Sequence, residues 1–493
     1  MADVTRRGLR PACAIKLDSA TNGEFVPPKP SRGLSHARAL AFERAGDNAR
    51  RLGMNRRAFL GTACGMATGL VALNEAFAAE GPGGAFQVAP TATLDVDEAL
   101  AALGGREFIF DVQTHYVDPR GPWRRNPFSP WNITLRVFPQ ARCDEGFLAR
   151  VFGAVECFSA RHFVKEIFLD SDTDVAVLTF VPSLPEDSPL SIEEADKTRR
   201  IVESLEGTKR LLVHGRVHPN VPGDLERMPE LKERWNIAAW KTYTGFGPGG
   251  KGYFLDDPRF GIPFIERARA LGVKVICVHK GLPLPGQDYA YSTCRDIGVV
   301  AKSFPDTTFI VYHSGYESDR AEGPYREKSR APGIDSLVTS LQESGIPPSA
   351  NVYAELGSTW RNLMRDPTSA AHAMGKLLKY LGEDRILWGT DSIWYGSPQD
   401  QIAAFRAFQI GPEFREKFGY PEITPKIRAK IFGLNACTPY RLDLDEVKRH
   451  ASVDWISDAR LAYADVPAPG LVSYGPRTRR EFFTHWRMHG GRP

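Results

Sequence analysis

Four residues able to bind a cation or move a proton stand at the ends of apolar, β-forming runs. His115 closes Phe108-Ile-Phe-Asp-Val-Gln-Thr-His115, and His279 closes Val273-Lys-Val-Ile-Cys-Val-His279. His313 closes Thr308-Phe-Ile-Val-Tyr-His313, and Asp391 follows Ile386-Leu-Trp-Gly-Thr390. One such histidine alone is more often a satisfied structural residue. Four of them at strand ends, in a chain with only eleven histidines, point to a shared site. Imidazoles with a carboxylate suit zinc, and also manganese or iron. Such a cation lowers the pKa of bound water or polarises a substrate oxygen. The carboxylate beside it can then collect a proton, and an imidazole can protonate a leaving group.

The elements carrying these residues alternate. Val175–Val181, Leu211–Val217, Ile237–Tyr243 and Val352–Leu356 are further apolar runs of strand length. Helical stretches lie between them. One begins at the capping box Ser191…Glu194 and runs towards Leu205 and Gly207; others cover Pro263–Leu271, Arg295–Ser303, Asp335–Gln342, Ser369–Leu381 and Gln399–Phe408. Continuous rather than alternating apolarity in the strands is the mark of a parallel sheet covered on both faces. Eight strands counted from residue 108 predict a (β/α)8 TIM-type barrel, whose sites form at the C-terminal mouth. A doubly wound open sheet is the alternative, but no Gly-rich phosphate turn follows any strand. Gly245-Phe-Gly-Pro-Gly-Gly250 has the glycines without the helix start or hydroxyl, and reads as a loop at the mouth. The long first connection, 117–174, predicts an insertion over the mouth, with Trp123, Phe128, Trp131 and Phe138 as a lid or substrate wall. The predicted boundaries are a linker over 79–105, the barrel over 106–445 and a C-terminal extension over 446–493.

The strand-end motifs resemble the amidohydrolase superfamily, specifically its amidohydrolase-2 branch with the aminocarboxymuconate-semialdehyde decarboxylase-like enzymes. The resemblance spans about residues 106–442. It rests on Phe110-Asp-Val-Gln-Thr-His115, Val278-His-Lys-Gly281, Tyr312-His-Ser-Gly315, Leu387-Trp-Gly-Thr-Asp-Ser392 and the closing Lys430-Ile-Phe-Gly-Leu-Asn-Ala436. It implies His115 and His279 as metal ligands and Asp391 as ligand and proton acceptor. It also implies His313 as an acid/base or substrate-polarising residue. The family's usual first-strand His-x-His is here Gln113-Thr-His115, so Gln113 enters the predicted ligand set as a carbonyl oxygen.

Lys241 ends the fourth strand, where it can contact a substrate carboxylate, form a structural ion pair or, if carboxylated, bridge two metals. His218 and Trp394 are further candidate substrate contacts, and Tyr395 a second wall residue. Glu355 can face the pocket or pair with a neighbouring strand's cation. The leading expectation is a metal-dependent hydrolase of a small amide, ester or lactone. The alternative within the same site is a non-oxidative decarboxylase of a small aromatic or enol acid, which needs a carboxylate-binding cation; Arg216, Lys241 and Lys280 are available. From another class, Gln113 leaves open a periplasmic binding protein with a decayed metal site.

The formal net charge of +4 is concentrated at the N-terminus, where residues 1–57 carry twelve Lys/Arg against five Asp/Glu. The near-neutral remainder gives no support for a nucleic-acid partner. Asn55-Arg56-Arg57-Ala58-Phe59-Leu60-Gly61 resembles a twin-arginine export signal over 54–78, with Ala76-Phe77-Ala78 as its cleavage pattern. The apolar run Ala58–Leu73 is short for a membrane span. The resemblance implies passage through the twin-arginine translocase to the periplasm or exterior, with no stable span after cleavage. Met54, just before the signal, makes 1–53 a candidate disordered or mis-started extension. Seven cysteines without a close pair suggest no disulfide framework. A small-molecule substrate is expected, and an oligomer is compatible.

Overall fold

The computed structural model describes residues 15–78, 81, 83–127, 129, 132, 143, 153–203, 209–283, 287–327, 332–465, 470 and 473–488. Eight parallel strands follow one another around a barrel: β1 Phe110–Thr114, β2 Val175–Leu178, β3 Leu211–Arg216, β4 Ala239–Tyr243, β5 Val275–His279, β6 Thr308–Tyr312, β7 Val352–Glu355 and β8 Ile386–Leu387. Closure between the last and first strands runs through the segment after β8. Val112 N–H donates to Trp388 O at 3.0 Å, Asp391 N–H to Gln113 O at 2.9 Å and His115 N–H to Ser392 O at 2.6 Å. The predicted (β/α)8 barrel is therefore the observed fold.

The buried Asp111 reinforces the seam. Its carboxyl accepts from Thr390 Oγ1 at 2.5 Å, Thr390 N at 3.1 Å and Gln113 N at 3.1 Å. Burial pushes its pKa up to about 7 despite those donors. The helices match their expected places within a few residues. Ser191 caps Ile192–Val202 by accepting from Glu194 N–H, as the capping box predicts. Gly261–Ala270, Ile297–Ser303, Ile334–Ser344, Pro367–Tyr380 and Gln399–Ala407 cover the strands.

The N-terminal region departs from the disorder expected for 1–53. From residue 32 it is helical: α1 Arg32–Arg51 is capped by Ser31, α2 Arg56–Leu60 by Asn55, and α3 Ala63–Ala78 packs along α1. α3 buries thirteen of its sixteen residues, including Met66, Leu70, Leu73 and Phe77. Composition concealed this because α1 is rich in Ala and Arg and presents a narrow apolar stripe of small residues, Ala37, Ala45 and Ala49. No helix among the described residues is long and apolar enough to cross a membrane. The expected linker is also structured: Gly84–Phe86 pairs antiparallel with Phe408–Ile410, and Val96–Leu103 is a helix capped by Asp95.

Two further expectations change. Cys143 and Cys157 form a disulfide within the first connection, so an absence of nearby cysteine pairs in sequence concealed a fourteen-residue loop closure. Of the expected lid aromatics, Trp123 is buried and donates to Asp118 O at 3.0 Å; Phe128, Trp131 and Phe138 lie outside the described residues. The C-terminal extension wraps the barrel. Asp454 pairs with the buried Arg210 at the foot of β3, Arg210 Nη2 also donates to Ala451 O at 2.6 Å, and Arg460 Nε reaches Phe168 O at 2.6 Å. Removing one partner of a buried ion pair leaves an uncompensated charge, so Asp454→Ala should cost about 3–5 kcal/mol. A chemical-denaturation midpoint that stays at the wild-type value would show that the extension does not hold the barrel.

Candidate metal centre

Three histidines converge at the C-terminal mouth, each held by a backbone carbonyl on its outer nitrogen. His115 Nδ1 lies 3.1 Å from Thr179 O, His279 Nε2 3.2 Å from Leu282 O and His313 Nδ1 2.6 Å from Gly357 O. A carbonyl oxygen only accepts, so each of those nitrogens must carry the proton. The opposite nitrogens, His115 Nε2, His279 Nδ1 and His313 Nε2, are then bare. Burial keeps the rings neutral: it drives His115 and His279 down to about 3, helped by the Lys241 charge, and His313 well below its usual range.

Two bare nitrogens, His279 Nδ1 and His313 Nε2, face one another at 3.2 Å. His115 Nε2 faces Asp391 Oδ1 at 3.1 Å. That distance would suit an ion pair were the ring charged, but with the ring neutral and Nδ1 donating, two acceptors oppose each other whenever the Asp391 carboxyl is ionised. Lone pairs held together in this way ask for a cation between them, and outer N–H groups locked on carbonyls are how metal-bound histidines are oriented. A divalent cation therefore fits this donor set.

The ligating atoms of His279 and His313 group with a carboxyl oxygen of Glu24, all within 4.8 Å of one another. Asn22 Nδ2 joins the two halves of the site, donating to Glu24 Oε2 at 2.7 Å and to Asp391 Oδ2 at 2.9 Å. Asp391 sits at φ 60° and His313 at φ 65°, conformations costly for side chains and typical of residues held for function. Asp391 Oδ2 also accepts from Ser358 Oγ at 2.5 Å. Burial pushes the Asp391 carboxyl up to about 7 against that donor and Lys241.

The sequence-predicted residues are thus brought to one place with altered parts. His313, expected as an acid/base group, shares the tight cluster with His279. Gln113 differs more: its amide nitrogen donates to Asp391 Oδ1 at 3.0 Å, and its oxygen has no hydrogen-bond partner. An amide N–H2 offers no lone pair, so in this arrangement the Gln113 nitrogen braces Asp391 while its oxygen is left free to face a cation. Trp394 stacks on His115 with ring centroids 5.6 Å apart. His218 stands behind the site: it packs on Phe246 and Tyr243, and Tyr243 in turn stacks on His279 at 4.8 Å. Glu355 accepts from His313 N at 3.0 Å and Gly357 N at 2.5 Å, fixing the loop that carries His313's carbonyl partner.

Lys241 is fully buried and its Nζ has no hydrogen-bond partner. It lies 3.4 Å from the centroid of the Tyr312 ring. Burial lowers its pKa to about 8, against the pull of Cys277, Glu355, Glu24 and Asp391. The other cations considered are engaged: Lys280 pairs with Asp296 at 2.8 Å, and Arg216 bonds Ser183. Ser358, Asn22 and Glu24 were not foreseen. Ser358 follows β7 as the predicted residues follow their strands; the other two lie in an irregular stretch with no periodic signal.

Residues 215–442 match the model of the Amidohydrolase family. The span contains Lys241, His279, His313 and Asp391 and supports the resemblance to the amidohydrolase-2 branch. No curated protein matches the chain. Similar solved structures include an uncharacterised TIM-barrel protein of Bordetella bronchiseptica (16% identity, 69% of this chain and 100% of that one, TM-score 0.43). A 2,6-dihydroxybenzoate decarboxylase from Rhizobium shares 14% identity over 69% of this chain and 100% of its own, with TM-score 0.40. A manganese-bound 5-carboxyvanillate decarboxylase of Novosphingobium aromaticivorans shares 13% over 68% and 97%, with TM-score 0.44.

Titrating the full chain with a divalent cation against a chromophoric chelator should give one tight site. His279→Ala and His313→Ala should each weaken it by about 100-fold or more, the scale reached even by the loss of an outer partner. Gln113→Leu, which removes only a partner of Asp391, should weaken it by about tenfold; a loss equal to that of His279→Ala would make the Gln113 oxygen a ligand.

Proposed function

We propose that the chain is a metal-dependent carboxy-lyase that removes carbon dioxide from a small aromatic or enol acid. The observation that carries this reading is Lys241, a buried ammonium with no hydrogen-bond partner beside the histidine cluster. A cation so desolvated needs an anion, and the one its position offers is a substrate carboxylate. Zinc, manganese or iron would suit the donors, and when bound such an ion polarises a substrate oxygen.

The chain's own residues supply the rest. Lys241 holds the carboxylate, and Trp394 and Tyr243 flank the histidines with apolar faces that exclude water. Loss of carbon dioxide leaves the bonding electrons on the substrate carbon, which must take up a proton. Asp391, with its pKa raised to about 7, can carry that proton and recover one from solvent afterwards.

Hydrolysis of an amide, ester or lactone is the second reading, favoured by the same carboxyl poised to take a proton from water. Export by the twin-arginine route belongs to the proposal too, supported by Arg56-Arg57 ahead of the α3 segment and by the Cys143–Cys157 disulfide, which suits an oxidising compartment. Carbon dioxide release across a panel of aromatic and enol acids, run beside amide, ester and lactone panels, tests the choice. Lys241→Met should cost about 2–5 kcal/mol in kcat/KM, roughly 30- to several-thousand-fold, because a buried charge contact is lost. Asp391→Asn should keep the fold and lose turnover. Turnover by Lys241→Met at the wild-type rate on an acid would refute the carboxylate role.

A further inference from the structure

The mouth of the barrel is filled by the chain itself. Every cation-binding or proton-carrying residue of the site is at most 5% exposed and Glu24 is 8% exposed, and the segment from residue 16 to residue 26 reaches into the site through Asn22 and Glu24. Its anchors are polar, with Lys16 and Thr21 buried and Asp18 partly so. Lys16 N–H donates to Asp400 Oδ2 at 2.9 Å and its Nζ to Ser397 O at 2.6 Å. Asp18 accepts from Arg361 Nη2 at 3.1 Å through its carboxylate, from Arg365 Nη1 at 2.5 Å through its carbonyl and from Ser473 Oγ at 3.0 Å. Thr21 N–H donates to Pro476 O at 3.0 Å. From these fixed points Asn22 and Glu24 descend onto Asp391, His279 and His313.

We propose that residues 16–26 are an internal occupant of the substrate site, with the Glu24 carboxyl in the position of a substrate carboxyl group. The segment must leave before an external acid binds. This rests on the carboxy-lyase reading for the identity of the external ligand, but the occupancy itself does not.

Three features distinguish an occupant from a resident part of the site. Glu24 brings to His279 and His313 the chemical group an acid substrate would bring, while Lys241 Nζ is left without a hydrogen-bond partner. Asn22 Nδ2 donates to Glu24 Oε2 at 2.7 Å and to Asp391 Oδ2 at 2.9 Å, so the segment reaches the barrel's own carboxylate through a neutral amide and brings a second carboxyl group with it. The segment is also tied to the barrel through Asp18, which stands apart from the histidine cluster and contacts two buried arginines instead. With the segment withdrawn, Arg361 and Arg365 are unmasked at the rim as further anion-binding groups.

The test uses the full chain loaded with manganese and benzoate as the probe acid, read by calorimetry. Occupied sites bind with an affinity reduced by the fraction of open molecules, so weakening the occupant should tighten benzoate binding by about tenfold or more. Asp18→Ala loosens the anchor without touching the metal-binding groups, and Glu24→Ala and Glu24→Gln remove the docked carboxylate; all three should gain affinity for benzoate. Unchanged benzoate affinity in Asp18→Ala and in the Glu24 variants would overturn the proposal. So would a fall in manganese affinity in the Glu24 variants with no gain in benzoate binding, which would make Glu24 a ligand. If benzoate binding tightens in Asp18→Ala while no acid of the panel loses carbon dioxide there, the internal occupant stands and the carboxy-lyase reading falls.

Discussion

Three backbone carbonyls decide what this site can be. Thr179 O, Leu282 O and Gly357 O each take the outer N–H of one histidine, leaving the inner nitrogens bare. The barrel then forces two of those lone pairs to 3.2 Å and sets the third against a carboxylate. In water, a proton would relieve such a contact. In a fully buried site protonating an imidazole is itself penalised by desolvation, so for the facing nitrogens of His279 and His313 the remaining remedy is a cation. Each carbonyl belongs to a loop or strand end whose conformation is held elsewhere: Glu355 braces Gly357, and the β1–β8 seam with Asp111 sets His115 and Asp391.

The same low dielectric makes the other buried charges informative. Lys280 and Arg210 have carboxylate partners and are accounted for by structure alone. Lys241 has no such bonded partner, and the groups that raise its pKa are Cys277 and then Glu355, Glu24 and Asp391. An unpaired ammonium kept at the centre of a barrel is explicable by a ligand that arrives charged. The Glu24 strap has the chemistry of such a ligand, because it brings a carboxyl group to the histidines by way of three polar anchors outside the cluster, Lys16, Asp18 and Thr21.

The barrel was legible because its signals are local and repeated: continuous apolar strands, capping boxes and glycines at predictable offsets. The strand-end positions of His115, His279, His313 and Asp391 were legible for the same reason, since a barrel strand delivers its last side chain to the mouth. Roles were less legible than positions. Whether Gln113 turns oxygen or nitrogen inward depends on Asp391, far away in sequence, and His313 joins His279 through a left-handed backbone that no periodicity encodes. Asn22 and Glu24 were invisible because an irregular segment has no pattern; only the fold brings it across the mouth. The helices α1 and α3 were misjudged for a related reason, as small apolar residues pack closely without the large hydrophobic stripe that usually announces a helix.

The claim on which all of this depends is that the bare histidine nitrogens hold a cation. Electron spin-echo measurements on the manganese-loaded full chain test it directly, because nitrogens bound to the ion modulate its signal. Coupling to more than one imidazole nitrogen, lost when His279 and His313 are replaced together, is the predicted result. A manganese signal with no nitrogen coupling would place the ion elsewhere and contradict the centre described here.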